Sequence, residues 1–520
     1  MSISALAKLA TVSTSCLLLL APGSIAAPDA APQATDESVH QALLAIDGLA
    51  QKKIDDNEEV GMAVAVVHKD KVVFAKGFGL REAGKSDKVD ADTVFQLASV
   101  SKPVGSAVID SLIGDGKITW DSKISDIDPD FQMYDAWVTR ELTIRDLYAH
   151  RSGLPDHAGD LLEDMGYDRA QVLHRLRFQK PDSSFRSHYA YTNFGLTEAA
   201  VAAAKAYGLS WEEVSQQRLY TPAGMKSTSS RYADFAGRTN KALGHVLVNG
   251  KWVQRYHRDP DAQSPAGGVS SSINDMAQWM RLQLGNGKLD GRQIVPEQPL
   301  LESRHPQMLT GFSPLNDLPG FYGLGINVNY DEHGQLVLSH SGAFDLGAAT
   351  CIRFIPNQQL GIIVLTNCYP NGVAEGLAAS FFDYALYGKS THEWFALYKQ
   401  ALTAAVVPKM EIDISKPPAA PARALSNLAY TGTYTNDYFG DIVVAEKNGG
   451  LAMTQGPNKT VFTMKHYNRD TFTYETTGEN AAGTSGITFT LDTGGRATAV
   501  TISNLNKDGN GVFWRVPETR

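Results

Sequence analysis

Residues 95–110 read FQLASVSKPVGSAVID. Ser99 stands three residues before Lys102, in a stretch that reads as a helix start, with Pro103 tolerated in the first turn. On a helix, positions i and i+3 share a face, so the amine could reach the hydroxyl. A helix N-terminus also turns free N–H groups and a partial positive charge toward the site. That setting suits a nucleophile whose substrate develops an oxyanion. The plainer alternative is Ser99 as an N-cap and Lys102 as a solvated side chain. An S-x-x-K pattern arises about once or twice by chance in a chain of this length at average residue usage. The rest of the sequence has to decide.

Two further stretches carry chemistry. In RSHYAYTNFGLTEAAVAAAKAYG, Tyr191 and Asn193 flank Thr192. In an extended segment, residues two apart point to the same side. A phenol and an amide would then face one space, just before a helix starting near Gly195. Tyrosine near lysine can shuttle a proton, and asparagine can orient a lysine or a substrate amide. The alternative is a buried tyrosine with a capping asparagine. In LVLSHSGAFDLGAA, His340, Ser341 and Gly342 end an apolar strand. The glycine permits close backbone approach, and the N–H of Ala343 could serve an oxyanion. The alternative is a strand-end turn with a surface histidine.

Around these stretches the chain divides by pattern. GMAVAVVHKDKVVFAKGFGL is two β-branched runs joined at Lys69 and Asp70, a hairpin. Its GFG lies in a strand pattern with no helix after it, so it is not a nucleotide loop. From about Ala98 to Gly285 the pattern is mainly helical. In SINDMAQWMRLQL, residues 272–284, Ser272 and Asp275 form a capping-box-like start, and Met276, Trp279 and Met280 make a core stripe. Strands return between 322 and 368, and GVAEGLAASFFDYALYG reads as a closing helix. Strands at both ends of a helical middle predict an α+β fold: an antiparallel sheet flanked by helices, with a helical subdomain. Residues 406–423, rich in proline and alanine, read as a linker. From 424 to 520 the chain is β-rich, with a hairpin turn at Asn448-Gly449 and Ile487, Phe489 and Leu491 alternating with threonines. This predicts a small antiparallel barrel or sandwich.

The 520 residues suggest two or three domains. The net charge of −9 and the absence of a Lys/Arg-rich block argue against nucleic acid as a partner. Lys8, the apolar run LATVSTSCLLLLAP and the small residues Ser24 and Ala26 read as an export signal cut after Ala26, with residues 27–36 as a loose leader. The competing reading is a short membrane anchor. Cys16 precedes the leucine run, which argues against lipid attachment there. The expected mature protein is periplasmic or secreted and makes no membrane contact. Cys351 and Cys368 fall in one hairpin whose turn near Asn357 would pair Cys351 with a residue around Val364, so free buried thiols are favoured over a bridge. Two cysteines do not make a zinc site. Nothing in the sequence indicates oligomeric state.

Together the three chemical stretches resemble the ordered signature of the serine β-lactamase and penicillin-binding protein superfamily. That signature is S-x-x-K, then Tyr or Ser with Asn two later, then a K/H/W-x-G strand. The spacings of 92 residues from Ser99 to Tyr191 and 149 from Tyr191 to His340 are similar to those of its class C branch. LTIRDLYAHRSGLPDH (142–157) and SPAGGVSSSINDMAQWM (264–280) also resemble that branch. The resemblance covers about residues 40–390. It implies a hydrolase domain over 37–405, and YTGTYTNDYFGDIVV is similar to the start of small lipocalin-like β-domains found on such enzymes. By resemblance, Ser99 is the acylated nucleophile and Lys102 with Tyr191 forms the base system. Asn193 positions lysine or substrate, the N–H groups of Ser99 and Ala343 form the oxyanion hole, and His340, Ser341 and Gly342 contact substrate. The implied chemistry needs no metal or organic cofactor. Where β-lactamases carry Lys-Thr-Gly, this chain has His-Ser-Gly, which removes a fixed positive charge. The expectation is therefore hydrolysis of a small-molecule ester or a D-amino-acid-containing amide. Alternatives are a DD-peptidase or β-lactamase, a slowly turning over penicillin sensor, and a non-catalytic protein on the same scaffold. The C-terminal domain is expected to pack near the site's mouth.

Overall fold

The computed structural model describes residues 31–405 and 416–517. The expected export signal, and residues 406–415 of the expected linker, lie outside the described residues. Helix α1 (Asp36–Asp55) starts at a reciprocal capping box between Thr35 and Ser38 and buries Val39, Ala42, Ile46 and Ala50. Each of its larger apolar side chains contributes about 1.5–3 kcal/mol by leaving water. Strands β1 (Gly61–His68) and β2 (Lys71–Gly79) form the expected hairpin. Lys69 and Asp70 both take positive φ, 49° and 59°. The tight turn with two left-handed residues matches strand twist.

The helical middle contains α2 (Ser101–Ile113), α3 (Asn193–Lys205) and α4 (Ile273–Leu284). The chain then returns to the sheet through β3 (Met308–Phe312), β4 (Pro319–Tyr322), β5 (Asn327–Tyr330), β6 (Leu336–Phe344), β7 (Ala348–Ile355) and β8 (Leu360–Thr366). One eight-stranded antiparallel sheet results, in the order β2-β1-β8-β7-β6-β5-β4-β3. Helix α5 (Val373–Tyr387) packs with α1 on one face, and α4 lies on the other. Because both faces are covered, β1 is buried along its whole length and reads as a continuous apolar run. Met276, Trp279 and Met280 of α4 are fully buried, as their spacing predicted. At the start of α4, Ser272 accepts the Asp275 N–H, but the Asp275 carboxylate turns elsewhere and accepts from Ser227 N and the Thr228 hydroxyl. Cys351 pairs in register with Val364, and both cysteines are free and buried.

Helix α6 (Trp394–Ala405) follows, and then the C-terminal strands. These are β9 (Gly432–Thr435), β10 (Ile442–Lys447), β11 (Gly450–Gln455), β12 (Thr460–Asn468), β13 (Thr471–Glu475), β14 (Thr484–Leu491), β15 (Ala497–Ile502) and β16 (Val512–Arg515). They close into a barrel, the last pairing being β16 with β9. Asn448 and Gly449 take positive φ at the predicted β10–β11 turn. Tyr430, Phe472 and Phe489 pack ring against ring among the barrel's buried side chains.

Barrel loops touch the hydrolase domain directly. Gly159 N donates to Tyr438 Oη at 2.9 Å, Tyr167 Oη donates to Phe439 O at 2.9 Å, and Asn510 Nδ2 donates to Gln179 Oε1 at 2.6 Å.

Candidate active site

Ser99 does not cap α2. It sits in a short 3₁₀ turn, Ala98–Val100, and the residue at the helix N-cap is Val100. Ala98 is buried and holds φ at 46°, in the left-handed region. Such a conformation costs a non-glycine residue about 1–3 kcal/mol, and surrounding packing must hold it. Part of that hold is the Thr350 hydroxyl of β7, which donates to Leu97 O at 2.7 Å. Ser99 is left half-buried at the head of the helix.

Lys102 is fully buried, which overturns the solvated alternative. Its Nζ lies 2.7 Å from Asn193 Oδ1, 3.0 Å from Ala266 O and 3.1 Å from Ser99 Oγ. Burial pushes the amine down to about 7, with the Asp160 carboxylate acting in the opposite direction. In the neutral amine only two N–H bonds are available. Both find oxygens that can only accept, at Asn193 and Ala266, and the lone pair is left for the Ser99 hydroxyl.

The orientation of Asn193 is dictated from behind. Its Nδ2 donates to Asp160 Oδ2 at 2.8 Å, so its Oδ1 must face Lys102. The same carboxylate oxygen lies 2.8 Å from His157 Nδ1. Asn193 is the first residue of α3, two residues earlier than expected, because Thr192 is the last extended residue. Tyr191 is half-buried beside it, with its ring centroid 4.4 Å from Lys102 Nζ. Burial raises the phenol well above its ordinary value, with a hydrogen bond to Ser99 opposing. His157 N donates to Tyr191 O at 2.8 Å, which ties the two segments together.

Across the cleft, β6 behaves differently from its reading as a trio of substrate contacts. His340 is buried, not at the surface. Its Nδ1 meets Ser341 O at 2.7 Å, an oxygen that can only accept, so Nδ1 carries the proton. Its Nε2 then accepts from Tyr322 Oη at 2.9 Å. Both ring nitrogens are engaged. Burial pushes the imidazole down to about 3, helped by the Lys102 charge and opposed by the bond to Ser341 O. The pleat turns Ser341 to the other face of the sheet. Its register partner Cys351 packs there with α1 and α5, and its hydroxyl meets Glu375 and Cys351. Gly342 returns to the Ser99 side. A Cβ there would collide with Leu97 O and the Thr350 hydroxyl and would lie 2.9 Å from Ser99 N. Only glycine lets β6 approach the serine turn so closely. The pairing of β5 with β6 stops at Ser339, so β5 leaves the β6 edge unpaired from His340 onward.

Ser99, Lys102, Tyr191 and Asn193 thus meet at one place, with Gly342 alongside and Ala343 next to it in the strand. Sequence reading did not nominate Asp160, Tyr322 or the Ala266 carbonyl. Asp160 and Tyr322 carry no local signal, since each acts by position, whereas Ala266 lies within the 264–280 stretch that already resembled the family. His150, inside the 142–157 stretch, underlies Tyr191 with ring centroids 4.7 Å apart, and its Nδ1 accepts from Thr192 N at 3.2 Å.

Comparison with known proteins gives the family and the fold. A family model described as Beta-lactamase matches residues 46–381, and one described as a domain of unknown function, DUF3471, matches 415–511. An unguisins hydrolase of Aspergillus violaceofuscus is 24% identical over 453 residues, covering 79% of each chain. Penicillin-binding protein 4 of Amycolatopsis lactamdurans is 25% identical over 366 residues, 69% of this chain and 89% of that one. The octameric penicillin-binding protein homologue from Pyrococcus abyssi shares the fold, with a TM-score of 0.60 at 17% identity, over 89% of this chain and 98% of that one.

Proposed function

The chain belongs to the β-lactamase family, the β-lactamase-like and penicillin-binding serine hydrolases, and we propose that it is an exported member that cleaves an ester or a D-amino-acid-containing amide through an acyl-enzyme on Ser99. The observation that carries this reading is the buried Lys102 amine. Its Nζ stands 2.7 Å from Asn193 Oδ1, 3.0 Å from Ala266 O and 3.1 Å from Ser99 Oγ, so a neutral amine that donates to the first two turns its lone pair to the hydroxyl.

In this reading Ser99 Oγ attacks the substrate carbonyl carbon while its proton passes to Lys102 Nζ. Lys102, brought to about 7, is the base available near neutrality, whereas the raised Tyr191 phenol keeps its proton. The oxyanion is assigned to the N–H groups of Ser99 and Ala343. Collapse of the tetrahedral intermediate expels the alcohol or amine, which takes the proton back from Lys102 by way of Tyr191. Water then adds to the acyl carbon and gives a proton to the same base, and the acid leaves as Ser99 recovers its hydrogen.

The choice of substrate class draws on His340. A neutral imidazole with both nitrogens occupied offers no cation to a β-lactam carboxylate. This favours esters and D-residue amides over β-lactams. The second reading, a penicillin-binding peptidase or slow sensor, draws on the likeness to a penicillin-binding protein. Export rests on residues 1–26, and sequencing the N-terminus of the mature protein tests it. For the site, wild type and Ser99→Ala are treated with a fluorophosphonate probe and a fluorescent penicillin, then with p-nitrophenyl esters, D-alanyl anilides and nitrocefin. Wild type should label with fluorophosphonate and turn over esters or anilides, and S99A should do neither. Equal labelling of the two proteins would sink the nucleophile assignment. Penicillin label retained for hours would favour the sensor.

A further inference from the structure

We propose that Glu479, supplied by the barrel, is a positioning residue for the hydrolytic centre, so that the barrel forms a working part of the active site. The inference rests on the Ser99 reading above. Glu479 lies in the loop between β13 and β14. Its Oε1 accepts the Asp345 N–H at 2.6 Å. Asp345 is the residue after β6 and stands two positions beyond Ala343, whose N–H is assigned to the oxyanion. Glu479 Oε2 faces Arg258 Nε at 3.6 Å, and the Arg258 guanidinium packs 4.9 Å from the centroid of the Phe344 ring at the strand's end. The Glu479 side chain is only 13% exposed.

The same loop grips the opposite side of the cleft. The N–H groups of Glu479 and Asn480 donate to the two oxygens of Asp164, each at 2.9 Å, and Asn480 Nδ2 donates to Asp164 Oδ2 at 3.0 Å. Asp164 ends the single-turn helix Asp160–Asp164. Asp160 at its start orients Asn193, which in turn orients Lys102. Glu163 in the same turn accepts from Arg258 at 2.7 Å. Two consecutive barrel residues therefore connect the strand bearing the oxyanion N–H to the helix that sets the base. Acyl transfer depends on the separation of those two sides, and a misplacement of about 1 Å can cost roughly 10²-fold in rate. The hydrolase domain alone has no hydrogen bond doing this work at Asp345 N among those seen for the described residues.

The test uses the full chain. Ser99 acylation by the fluorophosphonate is timed alongside steady-state ester hydrolysis and thermal melting for wild type, E479A and E479Q. In E479A, acylation and kcat should fall about tenfold or more at temperatures well below melting, with KM moving less. In E479Q, whose Oε1 can still accept from Asp345 N, most of the rate should return. A folded E479A that acylates at the wild-type rate overturns the proposal, as does an E479Q as slow as E479A. Should E479A not fold, D164N replaces it, because Glu479 N and Asn480 N donate to different oxygens of Asp164 and an amide keeps only one of those two acceptor atoms. D164N must then acylate more slowly, and a wild-type rate overturns the proposal. If wild type itself fails to label on Ser99, the nucleophile reading has failed. If wild type labels and E479A matches it, only the positioning role has failed.

Discussion

The two walls of the cleft work by different means. On the helix side a chain of side chains runs from Lys102 to Asn193, Asn193 to Asp160 and Asp160 to His157, with the Ala266 carbonyl as a main-chain partner of the amine. On the strand side the side chains are withdrawn. His340 is tied to Tyr322 and its neighbour's carbonyl, Ser341 points to the far face, and β6 comes close to Ser99 through the side-chain-free Gly342. The helix wall should therefore be sensitive to functional groups, and the strand wall to backbone clearance.

The largest effect tests the helix wall. Lys102→Met keeps the volume and loses the base, so Ser99 acylation should drop by about 10²–10⁴-fold, the usual worth of a general base. An acylation rate near wild type would remove lysine from the mechanism. Next comes the strand wall. Gly342→Ala adds one methyl with no functional group, yet it meets Leu97 O and lies 2.9 Å from Ser99 N. Acylation should fall about 10²-fold, as for loss of an oxyanion donor, with a stability cost of about 1–3 kcal/mol from overpacking. Normal kinetics in G342A would mean that the close approach is unnecessary.

A smaller change separates charge from geometry. Asp160→Asn frees Asn193 to flip and removes a carboxylate that raises the Lys102 amine. The acylation rate should fall about tenfold, less than the roughly 10²-fold of a 1 Å misplacement. The pH midpoint for acylation should also move lower, because the charge opposing burial is gone. A midpoint moving upward would contradict this. The smallest rate effect belongs to Tyr322→Phe. It leaves His340 Nε2 buried without a donor, which costs about 1–3 kcal/mol in thermal stability. Labelling of Ser99 should barely change, whereas a large loss would mean that the strand wall also works through its side chains.

The same contrast explains what could be read from sequence. Ser99, Lys102, Tyr191 and Asn193 were legible because three motifs in order resemble the signature of the serine β-lactamases and penicillin-binding proteins. Local spacing alone left each open to a plainer reading, and it placed Ser99 on a helix where the structure has a 3₁₀ turn. Lys69-Asp70 and Asn448-Gly449 were legible because a two-residue turn leaves its mark in residue type. His340 was found and read as lacking a fixed charge, but its burial and its partners were not. The hydroxyl that occupies it comes from Tyr322, on another strand, and the burial that neutralises it is a property of the packed site. The separation of Ser341 from His340 follows from alternation along a strand, but only once the register with Cys351 is known. Glu479 and Asn480 sit in a polar loop with no local pattern, and their meaning arises only when the barrel docks.

The central claim is that Ser99 is activated by a neutral Lys102. The pH dependence of Ser99 acylation tests it most directly, measured with the fluorophosphonate probe from pH 5 to 10. A protonated amine has no lone pair, so the rate should climb with pH and level off, with a midpoint close to the value of about 7 that burial confers on Lys102. The step should vanish in Lys102→Met. A flat profile, or a midpoint near the ordinary lysine value of about 10.4, would contradict the account.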